Sequence, residues 1–194
     1  MAKLYFNFAA MNAGKSAILL QAAHNYSERG MRVFLMKPAL DTRHKQGHIS
    51  SRVGLSAPAY EFEHTADLAD LILKEHHLQP IACVLLDEAQ FLAEEQIWQL
   101  ARIADDHNIP VMCYGLRTDF EGELFPGSKV LLAIADDLRE IRTICWCGRK
   151  ATMNLRIDDS GQAVRQGSQI EIGGDDRYVA LCRAHFLVGK VSIG

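Results

Sequence analysis

The sequence has no recognisable export signal. Met1-Ala-Lys-Leu-Tyr-Phe-Asn-Phe carries one basic residue and a short apolar run, but no long apolar core and no small-residue cleavage site. No apolar run reaches membrane-spanning length, so no membrane partner is expected and the chain is read as cytoplasmic. The five cysteines are then expected to be thiols or metal ligands rather than disulfide partners. A basic block is missing too: 21 Lys and Arg stand against 24 Asp and Glu, spread along the chain for a net charge of −3. That balance argues against a nucleic-acid partner. There is no internal repeat, low-complexity tract or long linker. What is present is 194 residues, 48% of them hydrophobic, enough for one large domain or one domain with a small appendage.

Hydrophobic patterning gives alternating strands and helices. Lys3 to Phe8 reads as a buried strand and Ser16 to about Arg29 as a helix that Gly30 ends. A strand from Arg32 to Lys37 precedes a long polar stretch, Asp41 to Ala57, and a helix from about Thr65 to His76. Ile81 to Leu86 and Val111 to Tyr114 read as buried strands on either side of a helix over Glu94 to His107, and a last periodic segment runs from Val130 to about Ile141. The expected fold is α/β, with a mostly parallel sheet of the P-loop NTPase kind flanked by helices and ligands at the carboxyl ends of its strands. After Thr143 the texture shifts to short alternating segments, Ala151 to Ile157 and Gln169 to Ile172, around Asp158-Asp159-Ser160-Gly161. The expected organisation is an α/β domain over 1–142 and a small β-rich appendage over 143–194.

Ala9-Ala10-Met11-Asn12-Ala13-Gly14-Lys15-Ser16 has the spacing of a P-loop, with Ala9 where the pattern asks for glycine. Such a loop turns backbone N–H groups toward phosphates, adds a lysine for β- and γ-oxygens, and offers a hydroxyl to Mg²⁺. ATP is therefore the expected nucleotide. Val84-Leu85-Leu86-Asp87-Glu88 ends the next strand on two carboxylates, the place where P-loop proteins keep the acid that holds Mg²⁺. Successive strand residues face opposite sides, so Asp87 and Glu88 are expected to do different work. Asp87-Glu88-Ala89-Gln90 also resembles the box of a helicase-type ATPase, but such motors close ATP between two α/β domains and too little chain remains for a second.

Cys145-Trp146-Cys147 and Cys182-Arg183-Ala184-His185 form two knuckles of soft ligands, which fit a closed tetrahedral zinc site. Four protein ligands leave no open position, so the metal is read as structural. Cys83 and Cys113 lie in apolar strands and are expected to be buried thiols.

The ordered set of Met11-Asn12-Ala13-Gly14-Lys15-Ser16, Asp41-Thr42-Arg43, Asp87-Glu88-Ala89-Gln90-Phe91, Tyr114-Gly115-Leu116-Arg117-Thr118-Asp119-Phe120 and Ile172-Gly173-Gly174-Asp175-Asp176-Arg177-Tyr178, with the knuckles, resembles the zinc-containing (type II) thymidine kinases, bacterial branch. The resemblance covers nearly the whole chain. It implies transfer of the ATP γ-phosphate to the 5′-hydroxyl of thymidine, and of deoxyuridine, in nucleotide salvage. By that resemblance Glu88 is the general base. Ala9 to Ser16, with Asp87 and Gln90, hold the nucleotide and its Mg²⁺, and Arg43 helps neutralise the transferring phosphoryl group. Met11, Phe91, Leu116 and Phe120 wall the base pocket, while Gln169, Ile170, Glu171, Ile172 and Gly173 with Tyr178 form a lasso over the nucleoside. Cys145, Cys147, Cys182 and His185 take the zinc. The resemblance further implies deoxythymidine triphosphate as feedback inhibitor and a homotetramer. This chain departs from many relatives in Ala9 and in a first knuckle of Cys-x-Cys spacing. Arg52 is left without an assigned role. A mechanical P-loop ATPase and a nucleotide-binding regulator are the competing classes; delivery of label from ATP to a nucleoside, to water or to nothing separates the three.

Overall fold

The structure is a computed structural model that describes residues 1–39, 47–169 and 177–192. Its centre is a six-stranded sheet built from β1 (Leu4–Ala9), β2 (Val33–Pro38), β5 (Tyr60–Phe62), β6 (Cys83–Leu86), β7 (Val111–Leu116) and β8 (Asp137–Glu140). The order is β5-β2-β6-β7-β1-β8, and every pairing is parallel. Parallel neighbours require crossovers, and the helices that supply them bury both faces of the sheet. Along β2 and β6 the side chains alternate: Phe34, Met36, Val84 and Leu86 join the core under α2 (Leu68–Leu78), α3 (Glu94–His107) and α4 (Pro126–Ile134). Val33, Leu35, Cys83 and Leu85 face the opposite core with Leu19, Leu20 and Ala23 of α1 (Lys15–Ser27). Cys83 and Cys113 are buried free thiols on opposite faces, and burial pushes Cys83 up to about 12.

Several elements differ from the sequence-based expectation. The polar stretch Asp41 to Ala57 is not all loop. Residues 41–46 lie outside the described part, but β3 (His48–Ser50) and β4 (Ser56–Pro58) form an antiparallel hairpin whose Ile49 is buried against α1. Directly after it comes β5, three residues on the sheet edge that are too short to leave a periodic signal. The segment Val130 to Ile141 divides: Pro126 at the first helical turn starts α4 early, and the chain then extends at Ala135 into β8, which pairs with β1. Helix α2 begins later than Thr65, because the Asp67 side chain accepts from Asp70 N at 2.9 Å and caps it there.

The C-terminal part carries a two-stranded sheet, β9 (Thr143–Ile144) with β10 (Lys150–Ala151). Beside it lies a three-stranded sheet, β12 (Ala163–Val164), β11 (Met153–Ile157) and β13 (Tyr178–Leu181), followed by α5 (Arg183–Val188). Its small core is Ala151, Leu155, Leu181 and Phe186, joined by Cys145 and Cys182.

Candidate active site

The carboxyl ends of β1, β2, β6 and β7 converge on one cleft of about 180 Å³. Ala9 closes β1, and the loop to α1 passes through two left-handed residues, Asn12 (φ 61°) and Gly14 (φ 84°). No side chain caps α1, and no acid stands in its first turn, so the N–H groups of that turn are left for an anion. Lys15 and Ser16 both line the cleft. Ser16 Oγ donates to Asp87 Oδ2 at 2.7 Å, so the hydroxyl and the first carboxylate already share the position that a cation would take.

Asp87 and Glu88 follow β6 and line the same cleft. Burial, with the neighbouring Glu88 charge, raises the Asp87 carboxyl to about 6, against the pull of Ser16 and Lys15. Glu88 stands in the left-handed region (φ 54°, ψ 39°), which is sterically unfavourable for a glutamate. Strand alternation does not govern the pair as the sequence suggested, because β6 ends at Leu86 and both carboxylates reach the same cleft. Glu88 also starts a single 3₁₀ turn, Ala89–Phe91, which puts the fully buried Gln90 beneath it. Gln90 Nε2 donates to Glu88 Oε2, and Gln90 Oε1 accepts from Leu116 N at 3.0 Å. Gln90, grouped in the sequence with the nucleotide contacts, therefore reaches the cleft through Glu88.

Met11, Leu116 and Phe125 form a separate apolar cluster with Phe91 and Tyr178 packed on it. Four of these five residues were anticipated. Phe125 was not, although an apolar residue just before Pro126 at a helix start was a usable signal. Phe120 is buried apart from the cluster, under the Arg156 guanidinium at 3.7 Å from its ring centroid. Gln169 Nε2 donates to Asp119 Oδ2 at 2.7 Å. Arg43, Ile170, Glu171, Ile172 and Gly173 lie outside the described residues. Asn154 went unnoticed in the sequence and yet joins the two parts of the chain. Its Oδ1 accepts from Met11 N at 2.7 Å, and its Nδ2 donates to the Thr118 carbonyl at 2.9 Å.

The knuckles come together. Cys145, Cys147, Cys182 and His185 keep their ligating atoms within 4.8 Å of one another. Cys145 Sγ and Cys182 Sγ lie 3.4 and 3.5 Å from His185 Nδ1, and the Cys147 and Cys182 sulfurs are 3.9 Å apart. A metal with bonds of about 2.0 to 2.3 Å holds tetrahedral ligands roughly 3.5 to 3.8 Å apart, so the donor set fits such an ion. Gly148 (φ 82°) makes the turn, its N–H donating to the Cys145 carbonyl at 2.9 Å. Burial pushes the Cys145 thiol up, but the amides of Cys147 and Cys182 and the His185 ring outweigh it and bring it down to about 6, toward the thiolate a metal needs. Trp146 stacks on His185 at 4.1 Å and fixes the ring.

Comparison with known proteins places this geometry. The family model described as thymidine kinase matches residues 2–186. The chain is 63% identical over 186 residues to a thymidine kinase of Novosphingobium aromaticivorans, covering 96% of this chain and 97% of the relative. It is 61% identical over 186 residues to one of Idiomarina loihiensis, covering 96% of each. To one of Zymomonas mobilis it is 59% identical over 187 residues, covering 96% of this chain and 97% of the relative.

Proposed function

This chain belongs to the thymidine kinase family, and from that membership we propose that it transfers the γ-phosphoryl group of Mg²⁺-ATP to the 5′-hydroxyl of thymidine, and of deoxyuridine. The observation that carries the reading is the convergence of Lys15, Ser16, Asp87 and Glu88 on one cleft beside the Met11, Phe91, Leu116, Phe125 and Tyr178 cluster. A triphosphate seated on the first turn of α1 meets backbone N–H groups and Lys15, while Ser16 and Asp87 hold its Mg²⁺. A pyrimidine lies against the apolar cluster, which points its 5′-oxygen at the cleft. Glu88 accepts the hydroxyl proton as that oxygen attacks the γ-phosphorus. Gln90, which binds Glu88 from below, is a positioning residue for that carboxylate.

Residues 1–142 form the catalytic part and 143–194 the zinc-binding part, with Cys145, Cys147, Cys182 and His185 as ligands. Zinc supplies a structural tie there, with four protein ligands and no open position. The roles of Arg43 and of Ile170 to Gly173 rest on the resemblance of their motifs. So do the homotetramer, the cytoplasmic location and inhibition by deoxythymidine triphosphate.

The decisive assay follows γ-labelled ATP with a panel of nucleosides. Label is expected on thymidine and deoxyuridine, and Lys15→Ala is expected to remove most of it while the fold persists. Label released only to water, or a Lys15→Ala variant working at the parent rate, overturns the reading.

A further inference from the structure

The described lining of the cleft carries three cations against the Asp87 and Glu88 carboxylates: Lys15, Lys37 and Arg52. Lys15 belongs to the phosphate loop. The other two have no place in the mechanism above, and they are connected. Lys37 stands near the end of β2 with its side chain 1% exposed, and its Nζ lies 3.2 Å from Glu61 Oε1. Glu61 is its register partner on the adjacent edge strand β5. An ammonium this deep needs a partner, because burying a lone charge costs several kcal/mol.

The same Glu61 oxygen accepts from Gly47 N at 2.8 Å. Gly47 is left-handed (φ 69°), and its carbonyl accepts from Ala59 N at 2.8 Å, so it closes the base of the β3–β4 hairpin. The Gly47 amide and then Lys37 hold the Glu61 carboxyl below its ordinary range, so it is charged at neutral pH. From this base the hairpin is built rigidly. Ile49 is buried against α1, and the Ser50 and Ser56 hydroxyls meet at 3.0 Å. At the tip Leu55 N donates to Ser51 Oγ at 3.0 Å, while Ser51 N donates to the Leu55 carbonyl at 2.8 Å. Ser50, Ser51, Arg52 and Val53 thereby form one wall of the cleft opposite the phosphate loop.

We propose that this hairpin is the phosphate-side wall of the active cleft, with Arg52 contacting the transferring phosphoryl group, and that the buried Lys37–Glu61 pair is the positioning device that holds it in place. The proposal rests on the kinase reading. A planar guanidinium suits the spread charge of a phosphoryl group in flight, whereas Lys37 acts through Glu61 and the Gly47 amide.

A double-mutant cycle tests it, with transfer from ATP to thymidine measured for the parent, Arg52→Ala, Glu61→Gln and the combination. Loss of one preorganised donor to developing charge costs on the order of 10²-fold in kcat, with KM for thymidine nearly unchanged. Glu61→Gln is expected to lower kcat in the same direction, and Arg52→Ala is then expected to cost only a few-fold more in its background. Additive losses, or a full kcat in Arg52→Ala, overturn the proposal. If Glu61→Gln does not fold, Lys37→Met with Glu61→Leu removes both charges together and is read in the same cycle.

Calorimetric binding of ATP and ADP gives a readout that needs no turnover. Arg52→Ala and Glu61→Gln are each expected to weaken ATP more than ADP, and equal losses overturn the proposal. A parent that binds both nucleotides and labels no nucleoside overturns the kinase reading, while this difference still decides the hairpin.

Discussion

Glu88 has a backbone that disfavours its own side chain. Among the described residues only Asn12, Glu88 and Asn108 are non-glycine residues at positive φ, and asparagine tolerates that region far better than glutamate. A strained glutamate is retained where its carboxylate has work to do. Glu88→Gln keeps the shape and is expected to lower kcat by about 10²- to 10⁴-fold, with KM for thymidine changing much less. Steady-state kinetics at saturating ATP, Mg²⁺ and thymidine checks this, and a near-parental kcat contradicts it. Thr118 poses the opposite case. Its Oγ1 is the one buried side-chain polar atom without a partner among the described residues. Replacing an unsatisfied hydroxyl by a methyl group removes a desolvation cost and no bond, so Thr118→Val is expected to be neutral or stabilising by about 1 kcal/mol. Thermal unfolding reads that directly, and a clear drop in Tm would show that the hydroxyl has a partner in solution.

The 3₁₀ turn Ala89–Phe91 is held by what its neighbours omit. A Cβ at Gly115 on β7 would meet Gln90 Oε1 at 2.8 Å and Gln90 N at 3.0 Å. At Gly127 on α4 it would meet the Ala89 carbonyl at 2.4 Å and the Leu92 carbonyl at 3.0 Å. The turn that carries Glu88 is thus clamped between a strand and a helix at distances that only glycine allows. Gly127→Ala is expected to cost about 1 to 3 kcal/mol by overpacking and to lower kcat as well, because the displaced backbone carries Glu88. Gly14→Ala makes the contrast: its Cβ would meet nothing within 4 Å, and only its φ of 84° opposes the change. Denaturant unfolding of the two variants separates clash from backbone strain, and kcat is read on Gly127→Ala alone, because Gly14 lines the cleft itself. Equal effects of both would remove the clamp as the explanation.

Across the molecule, the Cys145, Cys147, Cys182 and His185 cluster and the apolar cluster are linked through the small C-terminal sheet. β13 carries Tyr178 at one end and leads into Cys182 at the other, and it pairs with β11, whose Asn154 fastens Met11 and Thr118. Metal removal is therefore expected to loosen the nucleoside side of the cleft more than the phosphate side. Protein purified without added metal is expected to hold about one zinc per chain. After chelation, KM for thymidine is expected to rise several-fold with ATP affinity less affected. A fully active, folded, metal-free protein would contradict the assignment.

The turn from β1 into α1, the acidic strand end and the two knuckles were legible in the sequence because each is a run of a few residues whose placement depends on spacing along the chain. Lys15 needs only Gly14 before it and a helix after it, and Cys145 and Cys147 need only a turn. The main strands were legible for a related reason, since a strand covered on both faces is a continuous apolar run. Contacts formed across the fold leave no such trace. Lys37 pairs with Glu61 because β5 happens to lie beside β2, Asn154 reaches Met11 across 143 positions, and Phe125 joins Leu116 because α4 packs against the Ala89 turn. Local pattern carries information about which face of an element is apolar. Which polar side chain fills the last buried position between two elements is settled by their packing, where a charge or amide without its partner costs more than any local preference supplies.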